Sequence, residues 1–220
     1  MHQSIKNIID LNNKVKQKIK ELNFLNYTPQ IIAVSKTFTM TEILPLIEYG
    51  HYHFGENKVQ EAFIKWSEVK TKNKDIKLHM IGRLQSNKVK QAVEIFDYIH
   101  SVDSIKLAKK IADEQVKQNK KIKLFLQINI GEEPQKNGVP INDIDILVNE
   151  CKNMSLNVIG LMCLPPLIGN ISEFFSTIKK KNDELNFKDL SLGMSNDYIE
   201  ALSYKSTFIR IGTKIFGERS

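Results

Sequence analysis

The stretch IIAVSKTFTM, residues 31–40, begins a pattern that the rest of the chain repeats. Its opening residues are apolar and mostly β-branched, which predicts a short buried strand. Thr39 and Glu42 have the spacing of a capping box, which predicts that a helix begins soon after the strand. Gly50 stands where that helix would end. The stretch therefore predicts one strand–helix unit, with Lys36 at the point where the strand ends.

Further apolar runs of the same kind follow, and stretches with helical periodicity separate them. In NKVQEAFIKWSEV, residues 57–69, the apolar side chains recur at the spacing of one helix face. Connections of this length exclude a sandwich of hairpins, and strands that alternate with helices predict a parallel sheet. The predicted strands are residues 31–35, 51–55, 78–82, 98–102, 124–129, 158–163, 189–193 and 207–212.

Repeated strand–helix units predict an α/β protein with a (β/α)8 barrel, at the small end of the size range of that fold. Residues 5–22 have helical periodicity of their own and predict an extra helix before the barrel. We expect residues 1–220 to form a single domain. An open doubly wound sheet is the alternative, but the first strand lacks the GxGxxG motif of its dinucleotide-binding version.

The formal net charge of +7 leaves two explanations open. It reflects either a chain that is rich in lysine throughout or an attraction to nucleic acid or membranes. No dense basic run with interleaved aromatic residues is present, so we expect no specific nucleic-acid partner. A nucleic-acid-binding protein would show a steep dependence of binding on salt concentration.

The cysteines and the apolar runs indicate the compartment. Cys151 and Cys163 lack the spacing of metal ligands and are too few for a disulfide framework. The N-terminal residues contain no continuous apolar segment of the kind that a secretory signal has. No apolar run is long enough to cross a membrane. We therefore expect a cytoplasmic protein without a bound metal or a membrane partner.

In a (β/α)8 barrel the active site lies at the C-terminal ends of the strands, so the residues there are the first candidates for chemistry. Lys36 ends the first predicted strand. A lysine amine held at a dry barrel rim is pushed towards its neutral form, which is a nucleophile that condenses with carbonyl groups. The alternative interpretation is a lysine that extends along the surface into solvent.

The ends of the seventh and eighth strands predict a phosphate site. In GMSNDYIEAL, residues 193–202, Gly193 permits a close approach of the backbone and Ser195 is the expected N-cap of a helix. In RIGTKIFG, Gly212 and Thr213 offer an amide and a hydroxyl group. Barrels often bind phosphate at these two loops. The alternative is an ordinary capped helix followed by a glycine that ends a strand.

Two polar residues lie inside predicted strands. Arg210 interrupts the apolar run TFIRIG, and a buried guanidinium needs a partner, either a carboxylate or a ligand atom. His79 in LHMIG is interpreted as a histidine of the core rather than as a catalytic group. A lysine, a phosphate site and an arginine at one barrel mouth suggest pyridoxal 5′-phosphate, because this cofactor has an aldehyde, a phosphate and a pyridine nitrogen.

Seven motifs, in order, identify a family. They are AVSKT (33–37), FGENKVQEA (54–62), HMIGRLQSNK (79–88), IHSVDS (99–104), GLMCLPP (160–166), LSLGMSNDYIEAL (190–202) and IRIGTKIFGER (209–219). On these motifs the chain closely resembles the pyridoxal phosphate homeostasis protein family. The resemblance implies the single barrel domain of the fold-type III, alanine-racemase-like proteins.

The resemblance also implies the role of each site residue. Lys36 would hold the cofactor as a Schiff base, and Arg210 would face the pyridine nitrogen. The phosphate would lie between the two loops after the seventh and eighth strands. Leu78 and Leu192 depart from the usual family residues but stay apolar. The cofactor-binding residues implied in this way are Lys36, Asn57, His79, Met194, Ser195, Arg210, Gly212 and Thr213.

The function implied by the resemblance is intracellular homeostasis of pyridoxal phosphate without committed catalysis. Its partners would be apo-enzymes that receive the cofactor, and we expect a monomer. Lys136 falls in a family segment, but its spacing predicts no role. The alternative is an enzyme of the same fold, such as an amino-acid racemase, which needs two acid–base groups on opposite faces of the substrate. The second group comes from another domain in racemases, and we expect this chain to lack it because it ends directly after the eighth strand.

Overall fold

Eight parallel strands form a closed barrel in chain order, and β8 pairs with β1 to complete it. The computed structural model of the chain describes residues 1–131, 133, 137–166 and 168–218. The strands are β1 (Gln30–Val34), β2 (His53–Glu56), β3 (Lys77–Met80), β4 (Tyr98–Val102), β5 (Lys123–Ile128), β6 (Val158–Cys163), β7 (Asp189–Ser191) and β8 (Phe208–Ile211).

The predicted fold class is confirmed, and each predicted strand corresponds to an observed one. The extra helix before the barrel is also present as α1. The single domain over residues 1–220 stays a prediction. The helices are α1 (Gln3–Glu21), α2 (Met40–Glu48), α3 (Val59–Lys72), α4 (Val89–Ile95), α5 (Ile105–Lys117), α6 (Ile144–Asn153), α7 (Ile171–Glu184), α8 (Tyr198–Ser203) and α9 (Thr213–Phe216).

The first strand–helix unit forms as its sequence predicts. The backbone N–H of Thr39 donates to the Glu42 carboxylate at 2.7 Å, as in a capping box, and α2 begins at the next residue. Gly50 follows the end of α2 with a φ of +94°, a conformation that costs glycine little. Local sequence chemistry therefore fixes where the chain turns back towards β2.

Most strand bounds differ from the prediction by one or two residues, and two of these differences have a clear local cause. β2 begins at His53 rather than at residue 51, because the backbone N–H of His51 still bonds to the carbonyl of Leu46 in α2. β7 ends at Ser191, because Gly193 has a φ of +88° and turns the chain out of the sheet. A side chain at Gly193 would meet the Tyr198 Cα at 2.9 Å, so only glycine fits there without rearrangement.

The core has two parts. The larger part lies between the barrel and the surrounding helices, and it includes Trp66 and Phe54, whose rings are in contact. The smaller part fills the barrel interior. Within the described ranges, no helix is both long and apolar enough to cross a membrane. The buried residues of the inner part are Ile32, Tyr98, Phe125, Met162 and Phe208.

Candidate functional site

A cavity of about 600 Å³ lies at the C-terminal ends of the strands. It brings together the sequence-predicted site residues with the exception of His79. Residues of the loops after β1, β2, β3, β6, β7 and β8 form its walls. The cavity is lined by Val34, Lys36, Asn57, Ile81, Gly82, Leu164, Pro165, Pro166, Ile171, Met194, Ser195, Asn196, Asp197, Arg210, Gly212 and Thr213.

Lys36 reaches this cavity from a constrained turn. Before it, the backbone N–H of Ser35 donates to the Gly55 carbonyl at 3.0 Å. After it, Thr37 has a φ of +71°, which is rare for a β-branched residue. The Thr37 N–H donates to the Glu61 carboxylate at 2.8 Å, and this bond holds the strained conformation. The lysine that the sequence singles out is thus anchored on both sides.

A buried carboxylate stands behind the same turn. The Oε1 atom of Glu56 accepts bonds from the Ser35 hydroxyl at 2.8 Å and the Lys65 amine at 3.0 Å. It also accepts from the Trp66 indole N–H at 3.0 Å. Glu56 has no exposed surface, and Lys65 donates in addition to the carbonyl of Ser35. Glu56 is therefore a structural anchor that ties β1 and β2 to α3, and it does not line the cavity.

Replacing Glu56 with alanine should lower the free energy of unfolding by about 3 kcal/mol, because it removes the acceptor of the buried Trp66 indole N–H and leaves the nearly buried Lys65 amine with Glu61 as its remaining carboxylate. Chemical denaturation of the purified variant measures this loss. Glu68→Ala is the matched control, since it removes the carboxylate of the exposed Lys72–Glu68 pair on the same helix. The control should unfold as the wild type does, and equal losses in the two variants would contradict the anchor role.

Arg210 is buried in β8 and points its hydrogen-bond donors at neutral groups. One terminal nitrogen donates to the Ser191 carbonyl at 2.8 Å, and the other donates to the Cys163 carbonyl at 2.9 Å. Burial lowers the pKa of Arg210 to about 10, although the charge of nearby Asp197 opposes this effect. The guanidinium stays protonated at neutral pH and offers its positive charge to the cavity.

The loops after β7 and β8 meet beside Arg210. The Gly212 N–H donates a long hydrogen bond of 3.4 Å to the Ser195 hydroxyl, which places an amide and a hydroxyl side by side at the cavity wall, with Thr213 next to them. The predicted N-cap role of Ser195 is wrong, because α8 begins at Tyr198. Asp197 precedes that helix instead, and its carboxylate accepts the Met194 N–H. Ser195 is consequently not engaged in capping, and its hydroxyl faces Gly212.

Asn57 and Gly82 shape the opposite wall. A Cβ atom at Gly82 would lie 2.5 Å from the Asn57 carbonyl oxygen, so the loops after β2 and β3 can touch only because residue 82 is glycine. The side-chain oxygen of Asn57 is buried and has no hydrogen-bond partner within the described part of the chain. Buried polar atoms of this kind usually find a partner in a ligand or in water.

His79 lies below the cavity, inside the barrel. Both of its ring nitrogens are 2.9 Å from another histidine nitrogen, of His53 on one side and of His100 on the other. Its ring stacks on Tyr98 at a centroid distance of 4.2 Å. It is not among the described residues that line the cavity, which agrees with its interpretation as a core histidine.

Several residues of the site were not predicted from the sequence. Glu61 and Lys65 support the Lys36 turn, Asp197 lines the cavity, and Ser191 holds Arg210. The signal for Ser191 was a polar residue inside a short strand. For the helix residues no local signal exists, because charged side chains on α3 resemble an ordinary solvated face. Lys136 lies outside the described residues.

Comparison with known proteins connects this cavity to a family. Residues 9–220 match the family model of the alanine racemase N-terminal domain. The pyridoxal phosphate homeostasis protein of Haemophilus influenzae is 33% identical over 223 residues, which is 94% of each chain. The Escherichia coli K12 protein of the same name is 33% identical over 201 residues, which is 86% of this chain and 85% of that one.

Solved structures agree with these relatives. PipY of Synechococcus elongatus PCC7942, solved with PLP bound, is 34% identical, with a TM-score of 0.80 over 92% of this chain and all of its own length. An unknown protein from Bifidobacterium adolescentis is 25% identical, with a TM-score of 0.89 over 97% of this chain and 94% of that one. Alanine racemase of Clostridium difficile shares only the fold, at 13% identity and a TM-score of 0.69 over 94% of this chain and 57% of its own.

Proposed function

The chain belongs to the pyridoxal phosphate homeostasis protein family, and from this premise we propose that it binds pyridoxal 5′-phosphate through Lys36 and takes part in the homeostasis of that cofactor. One observation carries the proposal. A single cavity holds a constrained lysine, a buried arginine with neutral partners, and a pair of facing amide and hydroxyl groups. These three features correspond to the aldehyde, the ring nitrogen and the phosphate of the cofactor.

The residues present fit the group. The amine of Lys36 would form the covalent imine link, while Ser195, Gly212, Thr213 and the backbone of Met194 would hold the phosphate. The cavity volume of about 600 Å³ is in the range of sites for small cofactors. The unpartnered oxygen of Asn57 would accept a bond from the ligand or from a water molecule beside it. His79 does not line the cavity, so it would influence the ring of the cofactor only through the residues that lie between them.

We propose that this binding is not accompanied by committed catalysis. When bound, the cofactor supplies an electrophilic carbon and a ring that draws electrons, and an arginine at the ring nitrogen keeps that nitrogen unprotonated and weakens this pull. Among the described lining residues, Asp197 is the only carboxylate, and it is already engaged by the Met194 N–H. Racemisation requires a second acid–base group in addition to the lysine.

The test is the visible absorbance of the purified protein with added pyridoxal 5′-phosphate, before and after borohydride reduction, followed by peptide mass mapping. The expected result is an imine band that reduction fixes onto Lys36. Pyridoxal, which lacks the phosphate, should bind more weakly because it cannot use Ser195 and Gly212. A protein that stays colourless with excess cofactor would overturn the proposal.

A second measurement separates a carrier from an enzyme. The loaded protein is incubated with L-alanine and with D-alanine, and chiral exchange is followed in each. No exchange above that of free cofactor is expected, and rapid exchange would make the chain a racemase. Delivery of cofactor to apo-enzymes, a monomeric state and a cytoplasmic location belong to the same proposal.

A further inference from the structure

A chain of hydrogen bonds crosses the barrel interior and ends on Arg210. The His53 Nδ1 and His79 Nε2 atoms are 2.9 Å apart, as are the His79 Nδ1 and His100 Nε2 atoms. The His100 Nδ1 atom is 3.0 Å from the hydroxyl of Ser191, and Arg210 donates to that hydroxyl. We call His53, His79, His100 and Ser191 the histidine relay. It begins at the N-terminal end of β2 and reaches the cavity side of the barrel.

Aromatic side chains enclose the relay. The His79 ring stacks on Tyr98 and the His100 ring stacks on Phe125, at centroid distances of 4.2 and 4.3 Å. Phe208 packs against both histidines. Neither His79 nor His100 has exposed surface, so their polar atoms depend on the relay for partners. Burial lowers the pKa of both rings well below the usual range, which leaves them neutral.

Donor counting gives the relay one direction. A guanidinium can only donate, so the Ser191 hydroxyl accepts from Arg210 and has its single hydrogen left for His100 Nδ1. His100 must then carry its hydrogen on Nε2 and donate to His79, which donates in the same way to His53. The opposite direction would leave the Ser191 hydrogen without a partner within the described residues.

This direction has an electrostatic consequence at Arg210. Each ring and the hydroxyl turn their acceptor ends towards the guanidinium, so their dipoles stabilise its charge. Arg210 has no ion pair within the described ranges, and Asp197 acts on it only through space. Hydrogen-bonded chains of this kind strengthen each member by polarisation. The relay thus compensates a buried cation without neutralising it.

We propose that His53, His79, His100 and Ser191 are positioning residues that fix the direction of Arg210 and thereby set how strongly the cavity holds the unprotonated ring nitrogen of an aromatic ligand. The ligand part of this inference rests on the proposed function, whereas the relay itself does not. Two experiments therefore test the two parts separately.

The first experiment uses the ligand-free protein and nitrogen NMR of the histidine side chains. In the wild type, all three rings should be neutral and carry their hydrogen on Nε2. Ser191→Ala removes the hydroxyl that orients the relay, so mixed tautomers are expected at His79 and His53 as well as at His100. Tyr98→Phe is the control, because it changes the enclosing layer without changing any relay atom, and it should keep the wild-type pattern.

The second experiment compares pyridoxal 5′-phosphate with its 1-deaza analogue, in which carbon replaces the ring nitrogen. Ser191→Ala should weaken binding of the natural ligand about tenfold, as expected for a hydrogen bond to a charged group. It should change binding of the analogue less than about twofold. Ser191→Thr keeps the hydroxyl, so it should restore the tighter binding of the natural ligand.

The outcomes distinguish the relay from the proposed function. A wild-type protein with hydrogen on Nδ1 of His100, or a Ser191→Ala effect confined to His100, would overturn the relay. Equal losses for the two ligands in Ser191→Ala would overturn the positioning of Arg210. Failure of both ligands to bind the wild type would overturn the proposed function and the ligand part of the inference, while leaving the tautomer result to decide the relay.

Discussion

Replacing Lys36 with alanine should abolish covalent attachment of the cofactor. No borohydride-stable label should remain on the chain, because no other described lysine lines the cavity. Mass spectrometry of the reduced protein measures this directly. Lys58→Ala is the matched control, since Lys58 is exposed and lies beside Asn57 in the next loop. It should leave the label on Lys36 at the wild-type level.

The variant should keep its fold, because Lys36 is only half-buried and its turn is held by backbone bonds of Ser35 and Thr37. Weak, reversible binding should persist through the phosphate loops. Its dissociation constant should rise by at least about tenfold, as expected when the covalent link is lost. A Lys36→Ala protein that is still labelled at one defined site would assign the covalent role to another lysine.

The second large effect is acid destabilisation by the buried histidines. Burial lowers the pKa of His51 and of His53 to about 4, and it lowers those of His79 and His100 well below the usual range. In the unfolded chain each ring takes up a proton near its ordinary pKa of about 6.5. The unfolded state therefore binds more protons below that pH, and acid favours it.

The stability from these histidines is fully present above about pH 7 and is lost as the pH falls from about 6.5 towards 4. For the fully buried His79 and His100, the loss by pH 5 is about 2 kcal/mol each, or about 4 kcal/mol together. That is a large part of the stability of an ordinary domain. Urea unfolding at pH 7.5, 6.5 and 5.5 should show the decline.

A matched variant identifies the source of the decline. His79→Gln keeps polar atoms in the relay but cannot be protonated in this range. Its free energy of unfolding should therefore depend less steeply on pH than that of the wild type, by the equivalent of about one proton. A free energy of unfolding that stays constant between pH 7.5 and pH 5.5 would contradict the neutral, buried state of the rings. Glu61 does not confuse the measurement, because its lowered pKa places its titration at more acid pH.

The barrel could be predicted from the sequence because each strand–helix unit carries its own local signals. The Thr39–Glu42 capping box, the apolar period of α3 and the turn at Gly50 all depend on residues close together in the chain. The cavity followed from the fold, since strand ends of a barrel converge. Lys36, Ser195 and the residues after β8 were therefore found from their positions, whereas Asn57 was implied by the family resemblance.

The supports of the site could not be predicted in the same way. His100 and Ser191 are 91 residues apart in the chain, and nothing local shows that they share a hydrogen bond. Glu56 ends β2 next to the cavity residue Asn57, yet its side chain points to α3. Ser195 looked like an N-cap, but Asp197 is the N-cap of α8. These are long-range or competing contacts, which sequence spacing does not resolve.

The filled interior of the barrel has a consequence for exchange kinetics. Beneath the cavity, the nearly or fully buried rings of Tyr98, Phe125 and Phe208 pack together inside the barrel. With the interior filled in this way, a ligand of the cavity would arrive and depart through the opening at the C-terminal ends of the strands, and water that hydrolyses the proposed link to Lys36 would enter there too. An acceptor protein that covers this opening would slow release into bulk solvent while it receives the ligand. The rate of transfer would then saturate with acceptor concentration instead of matching the spontaneous off-rate.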